Sequence, residues 1–290
     1  MITRGKAGPA WVQVPSTKTP LESLPLGALV QVPVKGEFHS LFGEYLVFRV
    51  ADIRHPGYPA DSVTLITDNA IFAMCYDAAE PENPNVYRAY DGNNRYIHSN
   101  IAQWLNSDAP PGQWFEPTHP YDAPPTQENV YQNINASDHL PGFLHIWREE
   151  FASKLLLTNL TVRQSKTDGD SIDSLEAKVF LPASTELGLS KEGSVEEGPK
   201  FPLFDVQSRV CSYTPEALAN CTLAEDQPAK WWLRTPSYNT ANAVRYVDSS
   251  GLRLSTMANF SNLGVRPVCN LPASALVSPP NQQGIHTLLP

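Results

Sequence analysis

The sequence predicts an α+β domain with a loop-rich surface, and three observations carry that expectation. Short β-branched and aromatic runs recur along the chain as candidate strands. Two segments, set apart from those runs, carry apolar residues at helical spacing. Proline is abundant, 27 in 290 residues, against a usual share of about 5%. Such a chain suits short elements joined by fixed loops, not a helical bundle.

Residues 1–25 place Trp11, Val12, Val14, Leu21 and Leu24 among Pro9, Pro15, Pro20 and Pro25. Proline fixes φ and removes a donor, so this segment reads as an extended arm. Its apolar side chains have few neighbours in sequence to cover them. The arm is therefore expected to dock on another chain, either a different partner or a second copy in a homo-oligomer such as a trimer. Residues 26–278 form the main domain, and 279–290 read as a polar surface tail.

Within the domain, Leu29–Val32, Tyr45–Val50 and Ser62–Thr67 read as strands of a meander, with Gly43 suited to a turn. Ser99–Asn106 reads as a short helix: Ser99 can cap it, and Ile101, Trp104 and Leu105 share a face. The proline-rich stretch 107–128 is a loop. A second helix is expected from Phe143 to Leu155, because Trp147, Phe151 and Leu155 repeat every four residues. Leu160–Arg163 and Lys178–Leu181 read as strands around a polar surface loop, 164–177. Ser184–Gly188 reads as one helical turn with a glycine stop. Thr214-Pro215-Glu216 opens a helix that ends near Cys221.

Two apolar stretches organise the C-terminal part. Lys230-Trp231-Trp232-Leu233-Arg234-Thr235-Pro236 and Gly264-Val265-Arg266-Pro267-Val268-Cys269 each hold one arginine among large or β-branched residues. Arg234 and Arg266 read as structural, since a buried guanidinium demands carbonyl or carboxylate partners. Between the two lies a polar insert, Ser237 to Leu263. Val244, Tyr246 and Val247 give it a strand, and Asp248-Ser249-Ser250-Gly251 a turn. Its candidate ligand-binding residues are Ser237, Tyr238, Asn239, Thr240, Asn242, Arg245, Arg253, Ser255, Thr256, Asn259 and Asn262. Tyrosine, asparagine and serine combine a rigid amphipathic ring with short hydrogen-bonding groups, the composition of adaptable binding surfaces.

Other chemistry is weakly represented. The net charge of −9 argues against nucleic acid as a partner, and against an anionic membrane surface. No apolar run approaches the roughly 20 residues of a membrane span. No apolar stretch follows the basic N-terminus, so no secretory signal is expected. Cys75, Cys211, Cys221 and Cys269 form no C-x-x-C pair and read as buried thiols, with a Cys211–Cys221 disulfide left open. The seven histidines show no metal-ligand spacing. There is no G-x-S-x-G elbow and no phosphate loop. No catalytic residue, metal or cofactor is assigned, and Glu80-Pro81-Glu82-Asn83 reads as a turn.

The paired stretches resemble a domain family of unknown function, frequent in bacteria and their phages, that carries W-W-L-R-[ST]-P, a polar insert and G-V-R-P. Here these stand as Trp231–Pro236 and Gly264–Pro267. Ser99–Asn106, Val179–Ser184 and the Phe204–Arg209 segment match weaker family motifs in the same order, so the resemblance spans about residues 28 to 275. Cys269 and Asn270 depart from it, standing where many members have alanine and an aliphatic residue. The resemblance implies a C-type-lectin-like fold with short helices and a twisted, mainly antiparallel sheet. Trp231, Trp232, Arg234, Gly264 and Arg266 would form its core motif. Relatives include retroelement-diversified variable proteins, some on phage tails or other virion surfaces.

The function so implied is a non-enzymatic receptor-binding protein on a virion, made in the bacterial cytoplasm, with a face at 237–262 that is open to diversification. Its expected partners are a host-surface protein or glycan, and other virion proteins through the arm. Two alternatives stand beside it. One is a structural decoration protein without a specific ligand. The other is an enzyme on the same scaffold, an oxidase using Cys269 as on the formylglycine-generating scaffold or a hydrolase using an acidic pair.

Overall fold

The computed structural model describes residues 17–223 and 227–290. In chain order the first elements are β1 (Thr19–Pro20), β2 (Leu29–Pro33), α1 (His39–Phe42), β3 (Tyr45–Ile53), β4 (Ser62–Thr67), α2 (Val86–Asp91) and α3 (Asn100–Asn106). They are followed by α4 (Glu149–Ala152), β5 (Thr158–Arg163), β6 (Ile172–Ala177), β7 (Val179–Phe180) and α5 (Pro215–Asn220). The C-terminal part holds β8 (Trp231–Pro236), β9 (Ala243–Val247), β10 (Arg253–Met257), β11 (Val268–Pro272), β12 (Leu276–Val277) and β13 (Ile285–Thr287).

The result is a mixed α+β fold with few helices and several antiparallel sheets. The largest sheet has six strands in the order β13-β2-β3-β4-β11-β7. Its pairings are antiparallel except β13 on β2. β2, β3 and β4 form the expected meander. β4 and most of β11 are buried on both faces, as the centre of a covered sheet must be. A three-stranded sheet, β10-β9-β8, and two pairs, β5-β6 and β1-β12, complete the fold.

Aromatic side chains fill the layer beside the large sheet. Trp104 and Trp147 lie against Phe143 at 5.2 and 5.3 Å between ring centroids, and Phe151 lies 4.7 Å from Trp147. Each such buried ring contributes on the order of 2–3 kcal/mol of transfer free energy. α3 forms where its pattern places it. Ser99 accepts a hydrogen bond from the Ala102 amide, and Ile101, Trp104 and Leu105 are fully buried. Thr214 caps α5 in the same way, with Pro215 in its first turn.

Four expectations are corrected. The helix over 143–155 shrinks to α4, because the preceding backbone is spent elsewhere. Lys35 N donates to Ile146 O at 2.9 Å, and Trp147 bridges to Val34, so 143–146 stays in turns and Trp147 is an isolated bridge residue. The surface loop at 164–177 contains β6, a half-exposed strand paired along its length with β5. The tail is not free: β13 adds an edge to the large sheet, and Leu288 is buried. The arm ends inside the domain. Thr19 and Pro20 pair with Val277 and Leu276, and Leu21 and Leu24 are buried in this chain's own core. Trp11, Val12 and Val14 lie outside the described residues.

The departures at Cys269 and Asn270 do not disturb β11. Asn270 is fully buried with its amide satisfied: Thr64 Oγ1 donates to Oδ1 at 2.7 Å, and Nδ2 donates to Thr158 Oγ1 at 2.8 Å. The pair therefore stitches β4, β11 and β5 together without leaving a polar atom unpaired.

Candidate functional site

The two arginine motifs form a lock in the core. All six residues of β8 are buried. Trp231 Nε1 donates to Arg209 O at 3.0 Å, and Trp232 Nε1 to Met74 O at 2.9 Å. Arg234 meets the Glu186 carboxylate in a bidentate pair, both bonds 2.7 Å, and donates further to Leu181 O and Glu197 O. Burial alone would lower the Arg234 pKa, but the Glu186 charge overcomes it and holds the group more firmly protonated than usual. Arg266 has no such carboxylate contact. Its Nε donates to Thr67 O at 2.8 Å, and its guanidinium lies 5.1 Å from the Trp231 ring and 5.7 Å from Phe204. Gly264 is required by space: a Cβ there would sit 2.6 Å from Ala70 Cβ.

The insert emerges from this lock, and most of its polar side chains are spent internally. The turn after β8 is gripped by Asn94, whose Nδ2 reaches Ser237 O, Thr240 O and Ala243 O at 3.4, 2.8 and 3.0 Å. Ser237 is buried. Tyr238 donates to Asp170 Oδ2 at 2.7 Å, and the Arg163 guanidinium covers its ring at 4.9 Å. Arg245 and Arg253 both pair with Glu192 Oε1 at 2.8 Å. Asn242 donates to Asp91 Oδ2 at 2.7 Å, and Asn259 donates to Tyr90 O at 2.9 Å. Asn262 Oδ1 accepts from Asn135 at 2.9 Å. Asn239 and Ser255 are exposed, while Thr256 pairs with Val244 and is half-buried.

The eleven candidates therefore do not form one continuous face. Arg245, Arg253 and Ser255 share the side of the β9–β10 hairpin that meets Glu192, because cross-strand partners and every second residue share a face. Asn262 lies apart, on a groove with Tyr213, Lys230 and Phe260. Asn239, Thr240, Asn242 and Asn259 instead gather around α2, which carries no residue singled out from the sequence, while Tyr238 stays on the Glu192 side, its amide donating to Glu192 Oε2 at 3.1 Å.

α2 is a short ridge with no buried residue. Asn85 Oδ1 caps it, accepting from Tyr87 N at 3.1 Å. Gly92 ends it at φ +80°, where a Cβ would strike Asp77 O at 2.5 Å, so only glycine fits. Arg88 anchors the ridge from below, with a bidentate pair to Asp168 at 2.6 and 2.8 Å and a bond to Ala241 O at 3.2 Å. Val86, Tyr87 and Tyr90 project into solvent with 56, 63 and 74% of their surface exposed. Asn85, Val86, Tyr87, Tyr90 and Gly92 carried a readable signal: an asparagine cap, a glycine stop, and more apolar surface than one turn can bury.

Two grooves flank the ridge. One, of about 420 Å³, runs between Tyr87 and the turn Asn239–Asn242. The other, of about 610 Å³, runs between Tyr90 and Tyr131, with Asn83, Gln132 and Asn259 on its walls. Both fall in the roughly 300–1,000 Å³ range of small-ligand sites. The wall of the second carries Gln132 at positive φ, a conformation uncommon outside glycine. Beneath α2, Glu80 is fully buried and meets His119 Nε2 at 2.6 Å. The Glu80–Asn83 stretch is a turn, closed by Asn83 N on Glu80 O at 2.8 Å.

All four cysteines are free and buried, Cys211 and Cys221 included. Burial pushes the Cys269 thiol up to about 12, so it is not poised as a thiolate. Among the described residues, no group of three or more His, Cys, Asp or Glu side chains is arranged to hold a metal ion. No helix among them is long and apolar enough to cross a membrane.

These features define a mixed α+β domain whose core motifs support a loop-built, tyrosine-bearing surface. The chain belongs to the family described as a domain of unknown function (DUF6273), whose model matches residues 61–273. That span contains both arginine motifs, the insert and α2. No curated protein and no solved structure matches the chain.

Proposed function

We propose that the chain is a non-enzymatic ligand-binding protein with a C-type-lectin-like fold, displayed on a phage virion and turned toward a host-surface protein or glycan. One observation carries the binding role: Tyr87 and Tyr90 stand exposed on a rigidly anchored ridge, each beside a groove walled by amide side chains. Exposed aromatic rings on fixed backbone are the usual anchors of recognition surfaces, because they bury large area with little loss of conformational freedom. The virion setting rests on the family resemblance of the Trp231–Pro236 and Gly264–Pro267 motifs. Attachment to other virion proteins, and assembly as a homo-oligomer, are assigned to the segment before Thr19.

Diversification, in this reading, is carried by exposed insert positions such as Asn239, Leu252, Leu254 and Ser255. Asn242, Arg245 and Asn259 are tied into the domain and stay fixed. The test is competition for the host. Purified chain in excess is expected to block attachment of the particles that display it. Undiminished attachment at saturating protein contradicts the proposal.

A further inference from the structure

The groove between Tyr87 and the 239–242 turn has no ionisable side chain in its wall except the tyrosine phenol. That is unusual on a chain with 30 acidic and 21 basic residues. Its wall is Asn85, Tyr87, Thr167, Asn239, Thr240, Ala241 and Asn242. Asn85 uses its oxygen to cap α2, which leaves its amide nitrogen as a donor. Asn242 uses its nitrogen on Asp91, which leaves its oxygen as an acceptor. Asn239 and Thr167 are exposed. Arg88, which would otherwise bring charge to this place, is neutralised by Asp168 below the ridge.

Each class of ligand meets this wall differently. A charged ligand would lose hydration and find no counter-charge. A wholly apolar ligand would strand the amides without partners. A sugar ring has both requirements in one molecule: a C–H face that suits the negative face of an aromatic ring, and hydroxyls that both donate and accept. We infer that this groove binds a neutral saccharide unit of a surface glycan, stacked on Tyr87 and hydrogen-bonded by Asn85, Asn239 and Asn242. The inference rests on the ligand-binding reading above and names the ligand class for one of its two grooves. The turn and the ridge are held in place before binding by Arg88 and Asn94, so little ordering remains to be done.

The experiment applies the full chain to an array of neutral hexose and N-acetylhexosamine oligosaccharides beside sialylated and sulfated ones, followed by titration with the best neutral oligosaccharide. Binding to neutral glycans is expected. Tyr87→Ala should weaken it at least about tenfold, as loss of an anchor side chain does. Tyr87→Phe, which keeps the ring, should retain it, and Tyr90→Ala in the other groove should leave it within about twofold. Tyr87 is largely exposed, so its variants fold, and melting curves that match the parent verify this. Binding restricted to acidic glycans overturns the inference, as does neutral binding indifferent to Tyr87→Ala. A chain that binds host cells but no glycan overturns it while the ligand-binding reading stands. A chain that binds neither overturns both.

Discussion

Removing the charge of Glu186 should destabilise the domain from its centre. Glu186 is fully buried, and four donors converge on it: two from Arg234 at 2.7 Å each, Ala183 N at 2.8 Å and the Tyr58 hydroxyl at 2.5 Å. Glu186→Gln keeps the shape but turns one oxygen into an NH₂ that faces donors on whichever side it lies. It also leaves a buried guanidinium without a carboxylate partner, with the one remaining amide oxygen and the Leu181 and Glu197 carbonyls as its nearest acceptors. Breaking a buried pair in this way costs about 3–5 kcal/mol. The retained carbonyls and the nearby Glu197 carboxyl place the expected loss toward about 3 kcal/mol. At roughly 2–4 °C per kcal/mol, the melting temperature should drop by about 6–12 °C. Thermal unfolding followed by circular dichroism measures it, with Glu22→Gln as the control. Glu22 pairs with Arg54 at the surface, where solvent screens the contact and its loss should leave the melting temperature nearly unchanged. If the two variants melt together, Arg234 is not held as described.

Gly264→Ala should cost about 1–3 kcal/mol in denaturant unfolding, since its methyl group would overlap Ala70 and crowd Tyr213; an unchanged midpoint would show that the approach can relax. Deleting residues 1–25 should cost several kcal/mol more in thermal stability than deleting 1–16, because Leu21 and Leu24 leave the core. Size-exclusion chromatography with light scattering on the shorter deletion reports whether the removed segment holds an oligomer. His98 is pushed down to about 4, by burial first and then by the Arg95 and His119 charges, so the folded chain refuses a proton that the unfolded chain accepts below about 6.5. Stability contributed by its neutral form is present above that value and is lost as the pH falls from about 6.5 to about 4. The parent should therefore lose stability relative to His98→Gln over that window, and parallel pH–melting curves would refute the assignment.

What the sequence revealed depended on whether the deciding partner was near in the chain. The β2–β3–β4 meander and the caps of α3 and α5 were legible, because alternation and capping are local patterns. The helix over 143–155 was misjudged because Val34 and Lys35, far away in sequence, claim the backbone of 146–147. β6 was missed because only Ala177 is fully buried and Asp173, Ser174 and Glu176 are polar, so its pattern resembles a loop. The need of Arg234 for carbonyl or carboxylate partners was readable, but the identity of Glu186 was not. The insert showed its polar composition but not its use. Asp91, Asp170 and Glu192, which occupy Asn242, Tyr238 and the two hairpin arginines, come from three distant segments. With those partners in place the free surface of the insert narrows to the turn at Asn239, beside the ridge of Tyr87 and Tyr90, and to Leu252, Leu254 and Ser255 on the hairpin.

The most direct test of this surface is the binding of fluorescently labelled chain to host cells, compared between the parent and the Tyr87→Ala/Tyr90→Ala double variant. Both tyrosines are exposed, so the melting temperatures should agree within about 2 °C. The account predicts that the double variant folds as the parent does and loses at least about tenfold in cell-surface affinity. Equal binding by the two proteins would contradict it and move the recognition surface away from α2.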